Sequence, residues 1–290
     1  MLSTQAFFDA DTKSVSYLVW EDNMRQALII DPILDFDASS ATLGTLSADK
    51  ILTVIDEKQL KLQRILETHA HADRLSAGDY IRQKTGAPLC IGAGISQVQK
   101  TFKPLFMADD LKADGRDYDC LFKDQDSFKL GSETVTVMAT PGHTQDSVSY
   151  YIGDRVFVGD TLFMPDYGTA RADFPGGNAR DLYISINKIL ALPDETRIMV
   201  CHDYLPSEGR KTNAWESIVA EQKSENIHLG PYVTEGEFVT MRDARDKTLS
   251  VPKMIIPSLQ VNIRAGALPP PAKDGHHYLL MPINRLNNAS

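Results

Sequence analysis

The stretch Thr68-His69-Ala70-His71-Ala72-Asp73-Arg74 carries the strongest chemical signal in the chain. Thr68 is the last residue of an apolar run, Leu62–Thr68, that is predicted to form a compact strand, and His69 directly follows this strand. In extended backbone, alternate side chains point the same way, so the spacing places His69 and His71 on one side. Imidazole and carboxylate ligands together suit a divalent first-row metal. The stretch therefore predicts a metal site at the end of a strand.

The same arrangement, a metal-capable side chain just after an apolar strand, occurs three more times. These places are His143 after Thr134–Met138, Asp160 after Arg155–Val158, and His202 at the end of Arg197–Cys201. Strand ends in one layer lie side by side, so rigid sheets can bring distant ligands onto one ion. A lone histidine after a strand is usually a structural residue, but four such places favour a metal site. The remaining histidines are interpreted as structural: His228, His276 and His277.

Other parts of the chain alternate between strand and helix patterns. Strands are predicted at Ser14–Trp20, Ala27–Ile30, Leu89–Ile91, Phe128–Leu130 and Ser147–Ile152, and helices at Ala48–Gln59, Ser76–Thr85 and Asp181–Leu192. Ser76 is the expected N-cap of the second helix. Trp215 is expected to pack within a helix-like stretch, Thr212–Lys223. Strands and helices interleaved in both halves predict an α/β protein, a sandwich of two sheets covered by helices.

Proline content divides the chain into two parts. Residues 1–230 carry the strand-and-helix pattern and all four candidate metal positions, and they are predicted to form one catalytic domain. From Pro231 onward, prolines that include Pro269-Pro270-Pro271 interrupt regular structure. Residues 231–290 are therefore expected to form a C-terminal extension that packs on this domain.

The composition is that of a globular protein, with 42% hydrophobic and 24% charged residues. The 30 basic and 39 acidic residues sum to −9 without a basic run, which argues against a nucleic-acid or anionic-membrane partner. No apolar stretch approaches the ~20 residues of a membrane span, and Met1–Lys13 lacks the pattern of a secretory signal. The three widely spaced cysteines, Cys90, Cys120 and Cys201, suit a reducing compartment. We expect a cytoplasmic enzyme in which Cys201 lies in the core, on the face opposite His202.

The ligand pattern resembles that of the metallo-β-lactamase superfamily, whose fold is an αββα sandwich. The matching words are Thr68–Asp73, Thr140-Pro141-Gly142-His143, Gly159-Asp160-Thr161 and Cys201-His202-Asp203. Further short motifs resemble those of one branch, the persulfide dioxygenases (the ETHE1-like sulfur dioxygenases): Gly168–Phe174, Leu182-Tyr183, His202-Asp203-Tyr204 and Asn262-Ile263-Arg264. Together the matches extend over nearly the whole chain.

The resemblance implies one non-haem Fe(II) per chain, held by His69, His143 and Asp160 as a facial triad. Zinc or nickel can displace iron in an isolated sample by affinity alone. The implied reaction is the oxidation of glutathione persulfide by O2 and water to sulfite and glutathione. A homodimer is expected from the resemblance and from the general frequency of two-fold pairs. Three further residues are implied to orient ligands, accept protons or hold water around the site: His71, Asp73 and His202.

Glutathione carries two carboxylates, which planar guanidinium groups bind through paired hydrogen bonds. Arg171 and Arg264 are the candidate carboxylate-binding residues, with Tyr183 and Asn262 as hydrogen-bonding partners. Through Asn262 and Arg264, the C-terminal extension is expected to contribute to the substrate site. The alternative for each residue is structural, since a loop arginine is most often solvated and a tyrosine at helical spacing often packs in a core. Asp173 is expected to pair with Arg171 and order the loop.

The sequence departs from the hydrolases of the superfamily at Arg74. Those enzymes generally bind two metals through His-x-His-x-Asp-His, whereas the sixth position here is arginine. A guanidinium only donates hydrogen bonds and cannot ligate a metal. Directed into the pocket, it would repel a divalent ion 4 Å away by about 8 kcal/mol at an effective dielectric constant of 20. One metal is therefore predicted; if Arg74 turned outward to an acid, Asp73 and His202 would still be one ligand short.

Two other functions remain open at this point. A binuclear zinc hydrolase of the glyoxalase II type would act on a thioester or lactone and would hold two metals per chain. A non-catalytic protein that binds sulfur species would be expected to have lost ligands, whereas His69, His143 and Asp160 are all present.

Overall fold

A computed structural model describes residues 1–230 and 232–285 of the chain. Its strands are β1 (Leu2–Asp9), β2 (Ser14–Glu21), β3 (Gln26–Ile30), β4 (Ile33–Asp37), β5 (Thr42–Gly44), β6 (Lys61–Leu66), β7 (Leu75–Ser76), β8 (Leu89–Gly92), β9 (Cys120–Phe122), β10 (Ser127–Leu130), β11 (Glu133–Ala139), β12 (Val148–Ile152), β13 (Arg155–Phe157), β14 (Arg197–Met199) and β15 (Glu216–Ile218). Its helices are α1 (Leu46–Glu57), α2 (Gly78–Thr85), α3 (Ile95–Phe102), α4 (Ala179–Leu190), α5 (Val219–Glu225), α6 (Glu235–Asp246) and α7 (Ile255–Asn262).

Two six-stranded sheets form the body of the protein. Their strand orders are β1-β2-β3-β6-β8-β9 and β10-β11-β12-β13-β14-β15, and a small third sheet has the order β5-β4-β7. In the second large sheet, β11 and β13 both pair antiparallel with β12, and β14 pairs parallel with β13. The strands β11, β13 and β14 therefore end at the same edge, where three of the predicted metal positions follow them.

The core confirms the predicted αββα sandwich. Along β2, Val15, Tyr17 and Val19 are buried in a cluster that includes side chains of β11 and β12, so this cluster fills the space between the sheets. Leu18 points the other way and packs in the cluster that contains residues of α1, α2, α3 and α7. A third cluster joins the outer face of the second sheet to α4, α5 and α6. Because both faces of each large sheet are covered, the strands are apolar on both sides.

Two local predictions are wrong. The helix-like stretch Thr212–Lys223 contains β15 followed by α5, because residues 216–218 pair with the edge of β14. Trp215 precedes that strand and stacks on Phe8 with ring centroids 5.9 Å apart, so its packing role holds but its helix does not. Ser76 belongs to β7, and α2 begins after it with Ala77 as the N-cap residue. The Ser76 hydroxyl still accepts a hydrogen bond from Gly78 N at 2.8 Å.

The C-terminal extension contains two helices that pack on the body. Its first residue, Pro231, lies outside the described residues. Helix α6 packs against α4, and α7 packs against β7, close to the end of β6 that carries the histidine motif. Within residues 1–230 and 232–285, no helix is long and apolar enough to cross a membrane.

Candidate metal centre

Three buried side chains from separate strand ends meet at one edge of the sandwich. His69 follows β6, His143 follows β11 and Asp160 follows β13. One ligand atom of each lies within 4.8 Å of the other two. The Nε2 atoms of His69 and His143 are 3.9 and 3.6 Å from Asp160 Oδ2. The fold thus brings the three predicted ligands to one point.

Hydrogen bonds orient both imidazole rings with Nε2 toward this point. His143 Nδ1 donates to the carbonyl of Arg171 at 2.8 Å. The Thr68 hydroxyl donates to the Asp31 carboxylate at 2.8 Å, so it accepts from His69 Nδ1 at 3.0 Å. Burial lowers the pKa of His69 well below its usual value, and its histidine neighbours add to the effect. Both rings therefore present an Nε2 lone pair.

The three groups fit a bound cation, because they are acceptors that face one another without a donor. Among the described residues, His69 Nε2 and Asp160 Oδ1 are buried and have no hydrogen-bond partner. Buried polar atoms normally have one. Two imidazoles and a carboxylate are suitable ligands for a first-row divalent metal. His69, His143 and Asp160 are the residues that would hold such an ion.

Two glycines allow the ligand loops to pass close to their neighbours. Gly142 has a φ of 139°, and a Cβ there would lie 2.3 Å from the backbone of Leu182. Gly159 has a φ of 51°, and a Cβ there would lie 2.7 Å from Thr68 Oγ1. A larger residue at either position would displace the ligand that follows it.

Arg74 lies inside the protein beside the ligand group and is only 1% exposed. Its Nη1 atom lies 2.7 Å from Ser14 Oγ and 3.1 Å from His202 Nε2. Its Nη2 atom lies 3.1 Å from His71 Nε2 and 2.9 Å from Cys201 Sγ. The guanidinium therefore fills the space between two histidines and does not turn outward.

The surroundings of Arg74 keep its guanidinium positively charged. Burial lowers the pKa of Arg74, but its interactions with Cys201, Asp73 and Asp31 outweigh burial and raise it. Arg74 contacts an atom in each of two further sets of potential ligands, Asp31–His71–Cys201 and Asp160–Cys201–His202. A second cation in either set would meet a fixed positive charge.

Cys201 corrects one prediction. It is buried, as expected, but its Sγ contacts Arg74 and lies 3.4 Å from Asp31 Oδ2. It also shares a set of potential ligands with His202, so these neighbours do not face opposite ways. Strand alternation does not apply here because β14 ends at Met199. Burial raises the pKa of the Cys201 thiol, although Arg74 opposes this.

The three predicted surrounding residues do lie next to the ligand group. His202 Nε2 is 3.4 Å from Asp160 Oδ1 and 3.2 Å from Asp73 Oδ2. His71 Nε2 is 3.1 Å from Asp31 Oδ1, and its buried Nδ1 has no partner within the described part of the chain. Their roles in orienting ligands or accepting protons stay predictions.

Asn262 holds the loop that carries the histidine motif. Its amide donates to the carbonyls of His71 and Arg74 at 2.7 and 2.8 Å. Its Oδ1 accepts from Ser76 N at 2.8 Å. The loop thus uses both N–H groups and the oxygen of this amide, and the role of Asn262 in substrate binding stays a prediction.

Two other predicted substrate contacts also lie elsewhere. Arg264 is 7% exposed and donates twice to Asp110, at 2.7 and 2.8 Å. Tyr183 donates to the Val233 carbonyl at 3.0 Å. Neither lines the cavity over the ligand group. An internal acid and a backbone carbonyl accept the hydrogen bonds of these two side chains, so the structure does not bring them to the cavity.

Arg171 does line that cavity, but its guanidinium is already paired. Its Nε and Nη2 donate to Asp173 at 2.6 and 2.7 Å, which is the expected pair. Its Nη1 donates to the Ser250 carbonyl at 2.7 Å. The Arg171 side chain thus connects its own loop, which follows the candidate ligand Asp160, to the C-terminal extension.

Helix α6 holds the same loop through a buried ion pair. Arg242 and Asp246 pair at 2.8 Å. Arg242 Nη1 donates to the Thr169 carbonyl at 3.2 Å, and Asp246 Oδ2 accepts from Ala172 N at 2.8 Å. The two contacts bracket the carbonyl that orients His143. The extension therefore positions a candidate metal ligand.

Several of these supporting residues were not singled out from the sequence. Asp31 follows the apolar strand Ala27–Ile30, so the same strand-end signal that identified the ligands could have found it. Asp146, whose carboxylate accepts a hydrogen bond from Ala70 N at 2.8 Å, lies in the loop of residues 140–147, where no sequence pattern marks it. Arg242 and Asp246 stand in a helix rich in charged residues, where nothing distinguishes a buried pair.

A cavity of about 490 Å³ opens over the ligand group. Its volume is in the usual range of small-molecule sites. Phe163, Tyr167 and Tyr204 form an aromatic wall, with the two tyrosine rings 4.7 Å apart. Several residues of the extension between positions 242 and 254 also line the cavity. The extension thus lines the cavity, through residues other than those predicted.

The fold and the buried ligands define a metal-dependent enzyme class. The sequence family described as the metallo-beta-lactamase superfamily matches residues 10–202. The chain belongs to this superfamily. A solved structure, ETHE1 from Myxococcus xanthus, is 30% identical, with a TM-score of 0.72 over 91% of this chain and 100% of that chain. This similarity supports the ETHE1-like branch, as the sequence words indicate.

Two curated relatives are more similar in sequence. The beta-lactamase hydrolase-like protein of Xylella fastidiosa is 49% identical over 98% of this chain, which spans 65% of that protein's length. A protein of Dictyostelium discoideum named Glyoxylase B2 is 43% identical over 97% of each chain.

Proposed function

We propose that the protein is a persulfide dioxygenase that oxidises glutathione persulfide at a mononuclear non-haem Fe(II) centre. The observation that carries the proposal is the buried guanidinium of Arg74 between His71 and His202, beside the ligand group His69, His143 and Asp160. One ion held by two imidazoles and a carboxylate keeps coordination positions for other ligands, as in non-haem Fe(II) oxygenases. The similarity to an ETHE1 structure supports the same chemistry.

When bound, Fe(II) supplies a reductant for O2 and a binding position for a soft sulfur anion. The chain holds the ion through imidazoles whose orientation is fixed, and encloses the reactants beside an aromatic wall. Burial and the carboxylates of Asp73 and Asp160 raise the pKa of Tyr204. Its hydroxyl therefore stays neutral and can donate a hydrogen bond into the cavity.

The proposed reaction balances as glutathione persulfide plus O2 plus water giving glutathione plus sulfurous acid, which ionises to sulfite. The outer sulfur is oxidised, dioxygen is reduced, and the sulfur–sulfur bond breaks so that the inner sulfur leaves as the thiol. Enclosing persulfide and O2 in one cavity converts their encounter into an intramolecular step.

The test is oxygen consumption by protein purified without oxygen and loaded with Fe(II). Freshly prepared glutathione persulfide should give oxygen uptake and sulfite in a ratio of about one to one, following the balanced reaction. Replacing a ligand, as in His143→Ala, should abolish the uptake. Uptake at the wild-type rate in that variant would favour a non-catalytic protein that binds sulfur species.

A binuclear zinc hydrolase of the glyoxalase II type is the second candidate. The printed names of the Xylella and Dictyostelium relatives favour it, as does the second set of potential ligands at His202 and Asp160. Finding about two zinc ions per chain and thioester hydrolysis without oxygen uptake would support the hydrolase and contradict the dioxygenase.

We also propose a cytoplasmic location, which the free thiols of all three cysteines favour.

A further inference from the structure

Two cations at the mouth of the site cavity have no partner of their own. Arg245, in the last turn of α6, and Lys253, in the segment before α7, both line the cavity and are exposed. Neither side chain makes a hydrogen bond or ion pair with any described residue. By contrast, Arg171 and Arg242 on the same wall are paired with Asp173 and Asp246.

The cavity wall has the opposite charge balance to the whole protein. Five basic and three acidic residues line it, whereas the chain carries a net charge of −9. Two of the basic residues are neutralised by Asp173 and Asp246, and two of the three acids, Asp73 and Asp160, lie at the candidate metal centre. The remaining lining charges are Lys13, Arg245, Lys253 and Asp11, so the mouth itself is cationic. A cationic cleft on an acidic protein attracts anions and raises their local concentration.

A structural role explains these cations only in part. An arginine in the last turn of a helix is stabilised by the helix dipole, which accounts for Arg245. That account does not extend to Lys253, which lies outside the helices. The segment between them brings Leu249 and Pro252 to the cavity, and Met254, which follows Lys253, adds a third apolar side chain. Charged heads beside an apolar wall suit a small amphipathic ligand.

We propose that Arg245 and Lys253 form a subsite for the carboxylates of the thiol carrier. The inference rests on the proposed function and narrows its substrate class to a low-molecular-weight persulfide with carboxylates at the end remote from sulfur. The sulfur end lies at the metal centre, and the carboxylates lie at the mouth. Arg245 binds one carboxylate through its planar fork, and Lys253 binds the other as a point charge.

Binding of S-methylglutathione tests the subsite without requiring turnover. Calorimetry on the metal-loaded protein should give a Kd that rises about two- to fivefold in Arg245→Gln and in Lys253→Gln, as expected for partly exposed charge pairs. Lys247→Gln is the matched control, because Lys247 is exposed on the same segment and does not line the cavity. Its Kd should equal that of the wild type. The dimethyl ester of the probe should bind weakly to all four proteins.

Each other outcome overturns the inference. It fails if both variants bind the probe as tightly as the wild type, if the ester binds as well as the acid, or if coenzyme A binds in place of S-methylglutathione. Oxygen uptake with glutathione persulfide is measured in parallel. No uptake together with probe binding that depends on Arg245 and Lys253 would contradict the proposed function and leave the subsite standing. Uptake with an unchanged KM in both variants would leave the function standing and contradict the subsite.

Discussion

Arg74 Nη1 lies 3.1 Å from His202 Nε2, deep inside the protein. Because a guanidinium only donates hydrogen bonds, this contact uses the Nε2 lone pair that a metal would need. The same guanidinium reaches His71 and Cys201. One buried positive charge thus engages the side chains that could otherwise complete a second metal site, and this arrangement favours a mononuclear centre.

Replacing Arg74 by histidine should raise metal occupancy from about one toward about two ions per chain. The substitution removes the fixed positive charge and restores an imidazole at the sixth position of the motif. Elemental analysis after dialysis against zinc measures the occupancy. Arg116→His, at an exposed site paired only with Asp114, is the control and should leave occupancy unchanged. Unchanged stoichiometry in Arg74→His would mean that Arg74 does not block the second site.

Replacing Asn262 by alanine should destabilise the metal-free protein by about 2–4 kcal/mol, because two carbonyls and one N–H of the histidine loop lose buried partners. Metal affinity should fall as well, since the loop carries His69. Urea unfolding and a competitive metal titration measure the two effects. Asn187→Ala, at an exposed position on α4, should change neither. An Asn262→Ala variant with wild-type stability and only a raised KM would support the substrate-binding role instead.

Replacing Asp246 by asparagine should weaken metal binding by about 10- to 100-fold, the usual effect of losing a group that orients a ligand. The change leaves Arg242 buried without its counter-charge and loosens the loop whose carbonyl holds His143. Asp243→Asn, on the exposed side of α6, is the matched control. Wild-type metal affinity in Asp246→Asn would show that α6 does not position His143.

His228 should make the folded protein less stable as pH falls. Burial, aided by Arg242 and Arg245, lowers the pKa of His228 to about 4 from its usual 6.5. The unfolded chain therefore binds a proton below pH 6.5 that the folded chain does not, so stability is lost between pH 6.5 and 4. The loss is at most about 1.4 kcal/mol per pH unit.

The measurement is urea unfolding of metal-free protein across that pH range. His228→Asn should reduce the pH slope relative to the wild type, whereas the exposed His276→Asn should not. An identical slope in His228→Asn would mean that His228 is protonated equally in both states.

The sequence revealed the ligands because each stands at a strand end, where a polar side chain interrupts an apolar run. His69, His143 and Asp160 could therefore be predicted without knowing how the sheets pair. The direction of a long polar side chain depends on tertiary contacts instead. Arg264 and Asn262 belong to a short motif that matches the family. In the structure, however, Arg264 bonds to Asp110 and Asn262 bonds to the histidine loop, and both partners are far away in sequence.

The residues that line the cavity could not be predicted from the sequence for a related reason. Arg242 is buried and Arg245 is exposed, although both belong to one helix turn of similar composition. Both arginines line the cavity, and only the packing of α6 against the loop before Phe174 gives Arg242 its structural partners, Thr169 and Asp246, and leaves Arg245 exposed. The sequence pattern and the composition of the helix do not distinguish the two arginines.

Anomalous scattering at the iron edge tests the central claim most directly, on crystals grown without oxygen from protein loaded with Fe(II). We expect one anomalous peak, bounded by His69 Nε2, His143 Nε2 and the Asp160 carboxylate, with the Arg74 guanidinium still between His71 and His202. Two peaks, one of them in contact with His202 and with Arg74 displaced, would contradict it.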